Sequence, residues 1–247
     1  MTDLDFSFFT NRLSSMGITL TKRQLCQFYD YYVLLVEWNE KINLTAITEF
    51  EDVFIKHFID SLSFVKAFSS FEDMSKCLSD KSLCDVGTGA GFPGIPLKIL
   101  IPELKVTLFD SLDKRIKFLN CVIDKLELND ICAIHGRVED LAHNEIYREQ
   151  FDYAVARAVA ALPVLSEYCL PFVKVQGYFV AFKSDKAFDE IDSSQKAISV
   201  LGGEIVSTKE FTLPDTDLSR VLISIEKKLS CSKKYPRKAG TPSKSPL

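Results

Sequence analysis

Leu83-Cys84-Asp85-Val86-Gly87-Thr88-Gly89-Ala90-Gly91-Phe92-Pro93-Gly94 decides how the rest of the chain is read. An apolar run ends at Asp85. Three alternating glycines then let the backbone turn tightly and approach a ligand without Cβ atoms in the way. A nucleotide-type cofactor loop at the carboxyl end of a first strand has this form; the alternative is a tight packing turn. The glycines fall as G-x-G-x-G with Asp85 two positions before the first, whereas a pyrophosphate loop reads G-x-G-x-x-G and seats its anion on a helix N-terminus. A carboxylate beside the loop repels a pyrophosphate and tolerates S-adenosylmethionine, whose sulfonium and amino groups are cationic. Pro93 and Pro96 lack donors, which suits the first turn of a helix beyond the loop.

Downstream of Ser82 the pattern alternates strand and helix. Strands are predicted at 83–86, 106–109, 131–135, 153–156, 178–182, 204–208 and 221–225, with helices near 95–100, 114–126, 162–172 and 188–201. Such a series needs a mostly parallel sheet covered on both faces. Only a stretch containing Pro214 separates the last two strands, so a terminal hairpin and an antiparallel edge are expected. The fold class is therefore α/β: a Rossmann-like class I S-adenosylmethionine-dependent methyltransferase with a seven-strand, mostly parallel sheet and an N-terminal helical extension.

Upstream, a break at Met16-Gly17-Ile18-Thr19 separates two helices, the second starting near Leu20 with Thr19 or Thr21 as its cap. Its apolar stripe runs through Leu25, Phe28, Tyr29, Tyr32, Leu35 and Val36. A polar stretch follows from Trp38 to Thr45, then a helical pattern over 52–68 and a polar connector over 71–81. The expected division is an extension over 1–70, a methyltransferase domain over 71–230 and a basic tail over 231–247.

Composition narrows the function classes. The 247 residues carry 30 basic and 34 acidic side chains, a formal charge of -4, which argues against a surface coated in nucleic-acid-binding charge. Seven cysteines without paired spacing read as reduced, mostly buried thiols, and three dispersed histidines suggest no metal site. No apolar run approaches a membrane span and the start is acidic, so a soluble cytoplasmic protein is expected.

Further site candidates follow from strand ends. Asp110 lies 23 positions after Gly87, where an acidic side chain accepts hydrogen bonds from a ribose, and Ser111 follows it. The loop His135-Gly136-Arg137-Val138-Glu139-Asp140 would border an adenine, offering backbone near Val138 and a carboxylate from Glu139 or Asp140; a helix-start acidic pair is the alternative. Arg157 ends a buried strand and must find a partner or open into the cleft, and its fork suits a carboxylate, a phosphate or a guanine edge. His57 and Asp60 share a helix face, read as a structural hydrogen bond. Neither a D/N-P-P-Y motif nor a Pro-Cys nucleophile is present, so the acceptor is neither an exocyclic amine nor a cytosine carbon.

Taken together, Asn43-Leu44-Thr45, Lys56-His57 with Asp60-Ser61, the glycine loop, Asp110-Ser111 through Lys114-Arg115, Arg137-Val138-Glu139, Ala156-Arg157-Ala158, Lys183 and the tail from Lys234 to Pro242 resemble the GidB/RsmG family of bacterial 16S ribosomal RNA guanine-N7 methyltransferases. The resemblance covers nearly the whole chain. It implies methylation of a guanine in the 530 loop, and it implies that Gly87, Phe92, Val138, Glu139 and Arg157 are cofactor-site positions. Asp85, Gly89, Asp110 and Ser111 complete the expected cofactor set. Lys56 stands where arginine is frequent in the family, keeping the charge and losing the fork. Guanine N7 has a free lone pair and no proton, so no general base and no catalytic dyad is expected. The alternatives are a small-molecule methyltransferase and a non-catalytic ribosome-binding factor.

The partner implied is 16S ribosomal RNA or the small ribosomal subunit, bound by a monomer. Residues 231–247 hold five basic side chains and no acidic one. Lys56, Arg137, Lys183, Lys233, Lys234, Arg237 and Lys238 are therefore the expected RNA contacts, with a merely solubilising tail as the alternative.

Overall fold

The structure, a computed structural model, describes residues 5–184 and 187–247. Strands β1 (Ser82–Val86), β2 (Lys105–Asp110), β3 (Ile131–His135), β4 (Phe151–Arg157), β5 (Val173–Lys183), β6 (Gly203–Thr212) and β7 (Ser219–Lys227) form a sheet in the order β3-β2-β1-β4-β5-β7-β6. β1 to β5 pair in parallel, while β7 runs antiparallel to both β5 and β6. The expected fold class and the terminal hairpin both stand. β2 lies on one side of β1 and β4 on the other, so the strand order reverses there and a crevice opens outside the carboxyl ends.

Side chains alternate along each strand between two apolar layers. Leu83, Leu108, Val155 and Val180 face one layer; Cys84, Val86, Phe109, Ala154 and Phe179 face the other. The first layer takes in α1 (Ser7–Ser15) and α2 (Lys22–Ile42). It also holds the helical rod made of α3 (Phe50–Val53), a π turn Phe54–Ile59, α4 (Asp60–Leu62) and a 3-10 turn Ser63–Ala67, then α5 (Phe71–Leu78), α6 (Gly94–Leu100) and α7 (Asp113–Lys125). The short α8 (Val138–Leu141), α9 (Leu162–Cys169) and α10 (Phe188–Val200) serve the second, and α11 (Thr241–Lys244) touches α9.

Several boundaries differ from expectation for local reasons. Thr21, not Thr19, caps α2: its hydroxyl accepts from Gln24 N at 3.3 Å while Gln24 Oε1 accepts from Thr21 N at 2.8 Å. The helix continues past Trp38 to Ile42 and stops where Asn43 turns left-handed and Asn39 Oδ1 accepts from the Leu44 and Thr45 amides. Its fully buried face is Phe28, Tyr31 and Leu35, whereas Tyr29 and Tyr32 are half-buried. The supposed connector contains α5, capped by Ser70 and buried through Met74 and Leu78, an i,i+4 pair hidden among polar residues. Three cysteines, Cys84, Cys169 and Cys231, are buried, three are intermediate and Cys132 is exposed, so the cysteines are outside disulfides but not mostly buried. No described helix is long and apolar enough to cross a membrane.

Candidate active site

The glycine loop is held from three sides. Gly87 N and Thr88 N both donate to Phe109 O at 3.0 Å, and Gly89 N donates to Asp110 Oδ2 at 3.0 Å. Gly87 has φ 70°, and a Cβ there would lie 2.9 Å from Val159. Gly91 has φ 99°, and a Cβ there would meet the Tyr31 hydroxyl at 2.6 Å. That hydroxyl, fully buried in α2, donates to Ala90 O, so the N-terminal extension fixes the loop. Asp85 is also fully buried: Oδ2 accepts from Thr88 Oγ1 at 2.7 Å and Gly94 N at 2.8 Å. Oδ1 has no partner among the described residues. Burial pushes this carboxyl up to about 6, against the lowering effect of its two hydrogen bonds. Asp85 thus shapes the loop from beneath.

Above the loop lies a cavity of about 570 Å³ lined by Gly87, Asp110, Ser111, Arg137, Val138 and Glu139, with Leu112, Val159 and Tyr168 among its further walls. Asp110 accepts from Leu112 N at 2.9 Å and from Arg115 Nη1 at 3.2 Å besides Gly89. Glu139 is buried in the wall while Asp140 is exposed, which selects the first of the two expected carboxylates. The left-handed glycines and the acidic strand end fit a cationic nucleoside cofactor such as S-adenosylmethionine and disfavour a pyrophosphate, whereas Asp85, expected at the cofactor, lies beneath the loop and does not line the cavity.

A second cavity, about 510 Å³, adjoins the first at Ala158, which lines both. Lys56, His57, Asp60, Arg157, Lys183, Glu190 and Arg220 line it. Arg157 lies here and not in the first cavity. Its Nη1 donates to Asp60 Oδ2 at 2.7 Å and Lys56 O at 3.1 Å, and its Nη2 donates to His57 Nδ1 at 3.2 Å. Arg220 Nε donates to the other Asp60 oxygen at 2.7 Å, so one nearly buried carboxylate clamps two arginines.

A guanidinium only donates, so His57 Nδ1 is an acceptor and the ring proton sits on Nε2. Nε2 donates to Thr45 Oγ1 at 2.8 Å, and that oxygen also accepts from Ile47 N at 3.0 Å. Burial first, and the Arg157 charge second, lower the His57 pKa to about 3, so the ring is neutral. It stacks on Phe92 at 4.6 Å and 16°, with the Arg157 guanidinium 5.1 Å from the same Phe92 ring. His57 and Asp60 therefore do not pair with each other, as the sequence suggested, but converge on Arg157. Phe92, expected at the cofactor, is buried behind His57 and Arg157 and lines neither cavity.

The expected RNA contacts divide. Lys233, Lys234 and Lys238 are exposed, and Arg137 is exposed at the rim of the first cavity. Lys56 pairs with Asp52 at 2.9 Å, and Lys183 pairs with Glu190 at 2.7 Å while donating to Ala160 O. Arg237 is not a free cation: its backbone N, Nε and Nη2 all donate to the fully buried Glu167. Arg220, Glu190 and Tyr31 were not singled out from sequence. The 28–31–35 spacing is the signal that could have marked Tyr31, and no motif marks the other two.

The family model described as "GidB: rRNA small subunit methyltransferase G" matches residues 24–219. The chain belongs to the GidB family. A relative from Alkaliphilus metalliredigens is 53% identical over 233 residues, 94% of either chain. One from Bacillus cereus strain ATCC 14579 is 53% identical over 239 residues, 97% of either chain. Both bear the name ribosomal RNA small subunit methyltransferase G. Among solved structures, M. jannaschii TYW2 in complex with AdoMet superposes with a TM-score of 0.50 at 15% identity, covering 63% of this chain and 75% of that one. A putative transferase from Pyrococcus horikoshii gives 0.51 at 14% identity, covering 67% and 63%. At that identity the likeness to this GidB-family chain is one of fold.

Proposed function

We propose that this chain transfers the methyl group of S-adenosylmethionine to N7 of a guanine in the 530 loop of 16S ribosomal RNA, acting as a cytoplasmic monomer on the small subunit or its RNA. The observation that carries the reading is the pair of cavities at the carboxyl edge of the sheet, meeting at Ala158, the first walled by the buried carboxylates Asp110 and Glu139 and the second rich in cations. When bound, S-adenosylmethionine supplies a methyl group on a cationic sulfur, and guanine N7 has a lone pair with no proton to lose. No side chain needs to act as a base, which agrees with a neutral His57 that serves only as an acceptor.

The chain's own work is alignment. Asp110 and Glu139 accept from the ribose and adenine edges, and the glycine loop permits close approach. Arg157, fixed by Asp60 and His57, offers its remaining donors to a guanine carbonyl or a phosphate beside the transfer point. His57, backed by the Phe92 ring, gives a flat wall. A small-molecule acceptor would favour a closed apolar cavity, and the second cavity is lined largely by charged residues. The test is a methylation assay on unmodified 16S RNA and on 30S subunits, with the modified base mapped. Methyl incorporation at guanine N7 in the 530 loop is expected; turnover on neither substrate would refute the reading.

A further inference from the structure

Residues 231–247 run back along the second apolar layer and end behind the first cavity. Arg148 donates to the carbonyls of Cys231, Ser232 and Tyr235, and His143 Nε2 bonds Pro236 O at 2.8 Å. Arg237 then engages Glu167 through three donors, two of them from the guanidinium at 2.9 and 2.6 Å. A carboxylate with a side chain 1% exposed costs too much desolvation to be held by a casual surface contact. The tail is therefore seated in one register.

What that register delivers lies three to six residues on. Gly240 N donates to Glu139 Oε1 at 3.0 Å, and Ser243 Oγ shares a hydrogen bond with Tyr168 Oη at 2.8 Å. Glu139 and Tyr168 both line the first cavity. We infer that the C-terminal tail positions the adenine-side wall of the cofactor pocket, with the Arg237–Glu167 pair as its anchor and Gly240 and Ser243 as the groups that orient Glu139 and Tyr168. The inference rests on the first cavity being the S-adenosylmethionine site. Glu139 is buried, and the Gly240 amide and the Tyr168 hydroxyl are the groups that bond its carboxylate, so the tail reaches it both directly and, through Ser243, by way of Tyr168. Freed from the tail, that carboxylate has more rotamers to lose on binding, and the pocket is less preorganised.

Calorimetric titration of S-adenosylmethionine and its demethylated product should be run on the intact chain, on a chain ending at Lys238, and on Arg237→Gln, Arg237→Lys and Ser243→Ala. Circular dichroism would establish folding, and steady-state kinetics would be measured on 30S subunits. Loss of residues 239–247 should raise the cofactor Kd and KM about tenfold while kcat at saturating cofactor stays within about twofold. Arg237→Gln should give a similar rise, Arg237→Lys a partial rescue and Ser243→Ala a smaller rise. If the shortened chain does not fold, the three point variants decide. A cofactor Kd within twofold of the intact chain's in every folded variant overturns the inference. Failure of the intact chain to bind the cofactor would instead overturn the assignment of the cavity.

Discussion

Replacing Asp85 by asparagine isolates a titration buried under the cofactor loop. The folded-state pKa is raised from 3.8 to about 6, so between these values the native chain binds more protons than the unfolded one. Stability contributed by this group is present at low pH and is lost as pH rises through that window. A raise of this size corresponds to about 3 kcal/mol by pH 7. Asparagine keeps an oxygen for Thr88 and Gly94 but puts an amide where Oδ1 has no partner, a roughly constant cost of about 1–3 kcal/mol.

The diagnostic is therefore the pH dependence of the difference between variant and wild type, not its absolute value. His57 makes that subtraction necessary. Its pKa falls from 6.5 to about 3, so the unfolded chain binds more protons and stability rises with pH over much of the same window. In the wild type the two slopes oppose each other. Urea unfolding of the ligand-free proteins from pH 4 to 7.5 should show Asp85→Asn gaining about 3 kcal/mol relative to wild type as pH rises. Parallel curves, differing by a constant, would refute the account of Asp85 as a strained buried carboxylate.

Three further perturbations address the second cavity and the tail. His57→Phe keeps an aromatic ring on Phe92 and removes the acceptor for Arg157; single-turnover methylation at saturating cofactor should fall about tenfold with cofactor affinity unchanged, as loss of one charge-assisted hydrogen bond implies. Asp60→Asn leaves two arginines facing a neutral amide and should cost about 2–4 kcal/mol in urea unfolding; a loss under about 1 kcal/mol would mean that solvent already carries the pairing. Neutralising Lys233, Lys234 and Lys238 should lower the slope of log affinity for RNA against log salt by roughly 2, since each phosphate contact to a single strand contributes about 0.7. An unchanged slope would make these lysines solubilising charges only.

The parts of this molecule that are legible in sequence are those where one local rule dominates. Short apolar runs alternating with helical ones located all seven strands, and the glycine spacing located the turn that follows the first. Local rules weaken where burial depends on distant partners. The segment 71–81 reads as polar because Glu72, Asp73, Ser75 and Lys76 surround the two residues, Met74 and Leu78, that make its helix pack. Of the cofactor candidates, Gly87, Asp110, Ser111, Val138 and Glu139 line one cavity because parallel strands must present their carboxyl ends on one edge. Arg157 obeys the same rule yet faces the neighbouring cavity, since side-chain direction at a strand end is set by what approaches from outside the sheet. Here that is the rod carrying His57 and Asp60, about a hundred residues earlier in the chain.

Charge shows the same limit from the other side. Read along the sequence, Lys233, Lys234, Arg237 and Lys238 form one basic run, but in space they divide according to their neighbours. Three project outward, while Arg237 meets a glutamate on α9 that the sequence places within the apolar stretch Leu162-Pro163-Val164-Leu165-Ser166-Glu167-Tyr168-Cys169. A carboxylate inside such a stretch must have a cationic or hydrogen-bonding partner, because a buried charge without one carries an uncompensated desolvation cost. Nothing in the sequence around Glu167 names that partner. The tail supplies it, and an arginine consumed in that way is lost to RNA but gained by the pocket wall that Gly240 and Ser243 hold.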